Sequence, residues 1–415
     1  MEIFKQTNFD FLGKKWPFII LSLLLTAAGL ISLAVKGGPK YGIDFTGGAL
    51  MDVNFIKRPS AEAIRSALHR KIAGEIEVQE VSNAQGAGNS QEVLITTGVR
   101  EEALANVRND IVSALNAAFN PAAGAKLDIN LAGPTEIADR LRDPLARANV
   151  SLSDDQLQAL IQRILDYRTA HSGLIRSVDE LSSVSGVTPQ VLNVLRQECF
   201  TGNFAIRSNE VVGPKIGADL RQQAINVVLI ALGAMLIYIG FRFEWIYGVA
   251  AVIAVFHDTI ITIGLFSIFN KPIDLTVIAA LLTLVGYSMN DTIVTFDRIR
   301  ENLRMQMRGS FEYIVNLSIN QTLSRTVLTS GLTFLTAISL FLFGGQVLNG
   351  FSFALVVGII IGTYSSIFIA SPILIFWQNL AAQRKRGPRA STPLETRRSN
   401  PPASVKGAKP VKTAR

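Results

Sequence analysis

The chain has 415 residues, of which 49% are apolar and only 17% charged, whereas a soluble protein of ordinary composition carries about a quarter charged residues. One cysteine, Cys199, and three histidines, His69, His171 and His257, rule out an intramolecular disulfide and argue against a metal centre, so no metal and no cofactor is expected. The formal charge of +8 is uneven: Ala381–Arg415 holds ten Lys or Arg against a single acid, Glu395.

In chain order, Trp16–Val35 is an apolar run long enough to cross about 30 Å of hydrocarbon as a helix, and it follows Lys5, Lys14 and Lys15. It is longer than a signal-peptide core and lacks a small-residue cleavage site, so it reads as an uncleaved anchor. Residues 36–219 are soluble in character. Tyr41–Phe55 reads as a strand broken at Gly47-Gly48, Ser60–Ala73 as an amphipathic helix, and Ile76–Val81 and Val93–Thr97 as strands joined by a Gly/Asn/Ser-rich turn. Glu101–Phe119 is a second amphipathic helix and Phe204–Val212 a further strand. The order β-α-β-β-α-β predicts a split, ferredoxin-like α+β unit carrying a helical insertion at about 125–203. Within the insertion, Ser153–Thr169 has a capped N-terminus, and Val178–Val184, Gly186 and Thr188–Leu195 read as two short helices around a glycine turn. Hairpins of that kind often bind DNA phosphates. Outside the cytoplasm there is no DNA, so no nucleic acid is expected and the hairpin reads as a packing or protein-contact module.

Five further apolar segments follow, at Ala224–Phe241, Trp245–Phe269, Ile273–Phe296, Thr326–Phe343 and Phe351–Trp377. The layout is thus a six-helix polytopic membrane protein: a short N-terminus (1–15), a first span (16–35), the α+β domain (36–219), a five-helix bundle (220–380) and a basic disordered tail (381–415). Basic connections stay cytoplasmic. Arg242, then Arg298, Arg300, Arg304, Arg308 and Arg325, and the tail alternate with charge-poor turns at Asn270-Lys271-Pro272 and Gly344-Gly345-Gln346. Both termini are therefore expected in the cytoplasm and the α+β domain outside it, in the periplasm or its equivalent. The tail is expected to bind anionic lipid, at about 1 kcal/mol per basic residue near the surface.

Charge within lipid is rare because it costs ~2.5–3.5 kcal/mol at mid-bilayer, which singles out three residues. Asp258 lies in the third span beside His257; adjacent helix positions point about 100° apart, so the two are not expected to face one another, whereas Asp258 and Thr262 share a face. Asp291 lies in the fourth span on a polar stripe with Tyr287, Ser288 and Thr295. Arg325 enters the fifth span from the same side and is long enough to reach a carboxylate one or two turns deep. Asp297 and Arg298 read as an interfacial, solvated salt bridge. Lipid burial favours a neutral carboxyl and a neighbouring guanidinium favours the carboxylate, so a movement that separates them would load and unload a proton, worth ~2.3 kcal/mol per 100 mV. The outer domain shows no nucleophile–base cluster, which argues against an enzyme.

Several of these residues carry a resemblance. Tyr41-Gly42-Ile43-Asp44-Phe45-Thr46-Gly47-Gly48, Val212-Gly213-Pro214-Lys215-Ile216-Gly217, His257-Asp258, the run Val285–Glu301 with Gly286, Asn290, Asp291, Asp297 and Arg298, and Asn320–Gly331 with Arg325 occur in the order seen in the SecF family. That family supplies the smaller membrane subunit of the bacterial SecD–SecF protein-export complex and belongs to the resistance-nodulation-division superfamily. The resemblance implies a SecD-like partner, often with YajC, action beside the SecYEG channel and the SecA motor, and use of the proton motive force to draw exported polypeptide outward. It places Asp291 and Arg325 at the intramembrane pair of the family and leaves Asp258 without a role; the insertion makes the soluble domain larger than the family usually carries. Asp44, beside the Gly-Gly turn, reads as turn-stabilising. A small-molecule exporter subunit and a structural scaffold are the alternatives.

Overall fold

The computed structural model describes residues 7–72, 74–81, 91–98, 104–121, 124–150, 152–242, 244–305, 308–345 and 347–385. The basic tail beyond 385, the turn around Gly86 and the start of the second amphipathic helix lie outside them.

Helix α1 (Lys15–Val35) leads through Gly37 and Gly38, both at positive φ, to a single helical turn, α2 (Ile43–Thr46). Here the structure corrects the reading of Tyr41–Phe55 as one interrupted strand. The β-forming side chains of Tyr41, Ile43 and Phe45 are overridden by tertiary bonds: Gly42 N donates to Ile273 O at 2.7 Å and Ile273 N to Lys40 O at 2.8 Å. Strand β1 (Gly48–Phe55) begins only after the glycine pair. Then follow α3 (Ala61–Leu68), capped by Ser60, β2 (Ile76–Val81), β3 (Gln91–Thr97) and α4 (Leu104–Phe119).

After the insertion, β6 (Phe204–Val212) returns to the sheet, whose order is β2-β3-β1-β6, antiparallel throughout. Alternate β1 side chains (Met51, Val53, Phe55) are buried with Ile64, Leu68, Ile95, Ile111, Leu115 and Phe204 under α3 and α4, as period-2 burial requires. The register of β1 against β6 slips between Asp52 and Val53, so that Arg207 is the extra, bulged residue.

The insertion is a compact unit of its own. β4 (Leu127–Asp128), α5 (Pro134–Arg147), α6 (Asp154–Ala170), a 3₁₀ segment (Val178–Ser183), α7 (Pro189–Glu198) and β5 (Cys199–Phe200) close on one apolar cluster around Ile137, Leu141, Leu160, Ile161, Leu181 and Leu195. The expected cap at Ser153 is present as a reciprocal box with Gln156. The first arm of the expected hairpin is 3₁₀ rather than α, and Gly186, at φ +94°, supplies the turn. The parallel pair β4–β5 draws the ends of the insertion together. Asn130, 4% exposed, ties it there: Nδ2 donates to Ile175 O (2.9 Å) and Gly202 O (3.0 Å), and Oδ1 accepts from Ile175 N (2.9 Å).

Five more spanning elements follow: α8 (Pro214–Arg242), α9 (Trp245–Ile268), α10 (Leu275–Arg304), α11 (Phe311–Phe343), and a sixth span made of α12 (Asn349–Ser365), a π turn (Ser366–Ala370) and α13 (Ser371–Lys385). With α1, these give six helical segments long and apolar enough to cross a membrane among the described residues. α8 and α11 begin a few turns before their apolar runs, because charge ends hydropathy without ending a helix. α10 lies at the centre, where Gly358 and Gly362 of α12 let Leu284 and Ser288 approach its backbone.

Candidate functional site

Among the described residues, two carboxylates are buried within the bundle. Asp258 of α9 is fully buried. Its Oδ2 accepts from Ser288 Oγ of α10 (2.6 Å) and Ser365 Oγ of α12 (2.8 Å), and its Oδ1 lies 2.9 Å from His257 Nδ1. This corrects the expectation that His257 and Asp258 do not meet. Their Cβ atoms diverge, but the imidazole is long enough to fold back along the helix. Its other nitrogen, Nε2, meets Ser22 Oγ of α1. Thr262 shares a face with Asp258 but bonds only its backbone carbonyl, at 2.8 Å. Ser365 and Ser22 carry no label in the sequence other than being hydroxyls in apolar runs. The π turn just after Ser365, a device that re-aims side chains within helices, has no sequence signature of its own.

Asp291 of α10 is 3% exposed, and its Oδ2 accepts from Ser330 Oγ of α11 at 2.9 Å. Ser288, one turn away on the same helix, faces Asp258, so α10 carries contacts to both carboxylates on its buried side. Arg325 is exposed, and among the described residues no ion pair within 4.0 Å joins it to Asp291. It stands five residues from Ser330, about 7.5 Å of helix rise, toward the arginine-rich end. The expected pairing of Asp297 with Arg298 is also corrected. Neighbours on a helix do not face each other, and Arg298 instead bonds Glu301 (2.6 Å) and Gln321 (2.7 Å), leaving Asp297 exposed. Gly286 and Asn290 lie on the exposed side of α10 and line neither carboxylate.

The remaining motif residues form a joint between sheet and bundle. Asp44 Oδ2 accepts from Leu275 N at 2.9 Å, so it caps the fourth span from a distance rather than stabilising its own turn. Tyr41 packs edge-on against Phe45 and lies under the Arg221 guanidinium of α8. Gly47, at φ +74°, is so close to Gly213-Pro214 that a Cβ there would meet Pro214 Cα at 2.6 Å. A Cβ on Gly217 would meet Gly47 N at 2.9 Å. Two motifs some 170 residues apart in the chain are thus one object in space, with Gly48 entering β1 and Pro214 entering α8.

On the sheet, Asp52 and Glu92 lie side by side with Arg207, whose Nη1 is 2.7 Å from Glu92 and whose Nε is 4.0 Å from Asp52. Burial first, then the hydrogen bond and charge of Glu92, push the Asp52 carboxyl up to about 7, against the pull of Arg207. Burial likewise pushes the Cys199 thiol up to about 11. Among the described residues no three His, Cys, Asp or Glu side chains gather to hold a metal ion.

Residues 191–380 match the family described as protein export membrane protein SecD/SecF, C-terminal, and residues 31–55 match the SecD/SecF GG motif. A protein translocase subunit SecF of Koribacter versatilis is 48% identical over 92% of this chain and 95% of its own length. One from Rhodothermus marinus is 35% identical over 93% and 98%. The crystal structure of SecDF, a translocon-associated membrane protein from Thermus thermophilus, aligns with a TM-score of 0.59 at 31% identity, covering 90% of this chain but only 39% of the SecDF chain. The protein therefore spans about two fifths of that longer polypeptide. With near full-length relatives, both family matches and six apolar spans among the described residues, the chain belongs to the SecF family of protein translocase subunits, membrane proteins of protein export.

Proposed function

We propose that the chain acts with a SecD-type subunit to promote export of unfolded polypeptide, and that a proton taken up and released at Asp291 drives it. Asp291 carries the reading: a carboxyl enclosed in the bundle, held by one serine hydroxyl, with Arg325 free to approach along α11. A charge so placed is costly, and an arginine that docks and undocks changes that cost by turns. Asp258 is the second, less exposed carboxyl of the same relay.

In this reading the arginine-rich end of the bundle and both termini face the cytoplasm of a bacterial inner membrane. The sheet domain, a ferredoxin-like unit with residues 125–203 inserted, faces outward, where polypeptide emerges from a SecYEG-type channel fed by SecA; YajC is a further partner. The tail from 381 lies against anionic lipid. The joint of Tyr41–Gly48 with Gly213–Gly217 passes movement of the bundle to the sheet.

The test is Asp291→Asn, which keeps shape and one hydrogen-bonding oxygen but cannot take up the proton. Proton-dependent export should be lost while the complex with the SecD-type subunit assembles normally. Export at the wild-type rate would refute the relay and favour a scaffolding role.

A further inference from the structure

Span α1 meets the bundle mainly along a seam on α9, with Phe18 also stacked on Phe368 of the π turn at 3.8 Å. Gly29 and Gly264 are so close that a Cβ on either would meet the other's Cα at 2.7 Å. Ser32 Oγ is 2.8 Å from Ser267 Oγ, and Lys36 Nζ donates to Ser267 O. Much of the rest of α1 is exposed: Leu23, Leu24 and Ile31 are 64, 62 and 63% exposed. Ser22, only 2% exposed, is the seam's contact with His257. A continuous chain of side-chain hydrogen bonds therefore runs from Ser22 on α1 through His257 and Asp258 on α9 to Ser288 on α10 and Ser365 on α12. Among the described residues, the titratable groups facing the imidazole are Asp258 on its own helix and Tyr364 on α12, whose ring stands edge-on at 6.4 Å. α1 offers Ser22 and α10 offers Ser288, with Asp291 one turn, about 4.5 Å of rise, further along.

We propose that His257 and Asp258 form a second protonatable centre, and that its proton state sets how firmly span α1 is held to the bundle through Ser22. The inference rests on the proton-driven reading above. With the imidazole neutral, Nδ1–H donates to Asp258 and Nε2 accepts from the Ser22 hydroxyl. A proton added at Nε2 makes both ring nitrogens donors, and Ser22 turns from donor to acceptor. The pair passes from singly negative to neutral, while Asp258 keeps its two serine donors and no covalent bond other than N–H is made. A charge-assisted bond is roughly twice as strong as a neutral one, so the loaded state grips α1 and the unloaded state loosens it. A difference in contact strength between two states is what a coupling requires. Span α1 runs through Lys36–Lys40 into the joint, so its grip is felt by the sheet domain.

The grip is measurable in native membranes, in the full chain with Cys199→Ser and a reporter pair, Ser32→Cys with Ser267→Cys. Disulfide yield at this pair is followed between about pH 5 and 8, where an imidazole titrates. It is divided at each pH by the yield in the same chain carrying His257→Gln, which cancels the pH dependence of thiol chemistry. The ratio should rise at least about twofold as pH falls through the imidazole range. Ser22→Ala, which spares the pair, should behave like His257→Gln, and it replaces that divisor if His257→Gln does not accumulate. Asp291→Asn should leave the rise intact. A ratio that is flat or falls toward low pH, or a rise abolished by Asp291→Asn, overturns the proposal. Wild-type export by Asp291→Asn with a pH-dependent seam would instead sink the Asp291 reading and leave this centre standing.

Discussion

Replacing Asp52 by an asparagine should stabilise the sheet domain, and only above the pH at which the carboxyl would ionise. The Asp52 side chain is 14% exposed and that of Glu92 only 5%, and they share a single guanidinium, Arg207. An unfolded aspartate ionises near 3.8, whereas burial and Glu92 bring Asp52 to about 7 in the fold. The folded state therefore holds the proton more tightly than the unfolded one. The stability this contributes is complete below about pH 4 and is lost as pH rises through 7. At 1.36 kcal/mol per tenfold change the full loss is about 4 kcal/mol, and adjustment of the half-exposed Arg207 reduces it to about 2–4 kcal/mol. The amide reproduces the protonated carboxyl, so Asp52→Asn should match wild type at about pH 4 and below, already exceed it slightly near pH 5, and exceed it by about 2–4 kcal/mol near pH 8. Hydrogen exchange of the β1 and β3 peptides in the detergent-solubilised chain, corrected for intrinsic exchange, reads this directly. Parallel protection of the two proteins from pH 5 to 8, or weaker protection of Asp52→Asn at pH 8, would refute the reasoning.

Asn130→Ala removes three buried hydrogen bonds to Ile175 and Gly202 and should cost about 2–4 kcal/mol, seen as protease cleavage within 125–203 that leaves the spans intact. In the bundle, a Cβ on Gly358 would meet the Leu284 methyls at 2.5 Å. Gly358→Ala should therefore lower the melting temperature in detergent by an overpacking cost of about 1–3 kcal/mol, and Leu284→Ala in the same chain should recover part of it. Gly47→Ala, at φ +74° against Pro214, combines strain of about 1–3 kcal/mol with a steric clash; it should reduce accumulation of the protein, and normal accumulation with normal export would show that the joint tolerates repacking.

Where local pattern and tertiary demand agree, the sequence was legible. Phe204–Val212 reads and folds as a strand because Phe204 and Ala205 anchor it in the core and Gly213-Pro214 ends it, and Ser153 with Gln156 caps α6 because that chemistry is entirely local. Helix α5 escaped notice: its apolar positions are interrupted by Pro144 and by Arg140, Arg142 and Arg147, and only the cluster of Ile137, Leu141 and Leu145 with α6 and α7 makes it a core helix. Tyr41–Thr46 misled for the opposite reason, since its side chains favour a strand and a hydrogen bond to Ile273, more than two hundred residues away, decides otherwise. Within the membrane, the cost of charge pointed to Asp258 and Asp291. Their partners did not stand out: Ser22, Ser330 and Ser365 are ordinary hydroxyls until helix rotation and the π turn aim them inward.

On the proposed function, the geometry also bears on how a proton in the bundle would move the sheet domain. α10 holds Asp291 and, sixteen residues or about 24 Å of helix away, begins at Leu275, whose amide is capped by Asp44 and whose entry is bonded to Gly42. One helix therefore has the buried carboxyl at its middle and the joint at its start. The joint admits no slack, because Gly47, Gly213, Pro214 and Gly217 are in backbone contact. A tilt or rotation of α10 that responds to the charge on Asp291 must carry Asp44 with it or break the cap. Helix α8 enters the same joint at Pro214, and α1 reaches it through Lys40. Each of the three connections between bundle and sheet thus meets the glycine motifs within a few residues, and a side chain on Gly47 or Gly217 would force apart the contact that joins them.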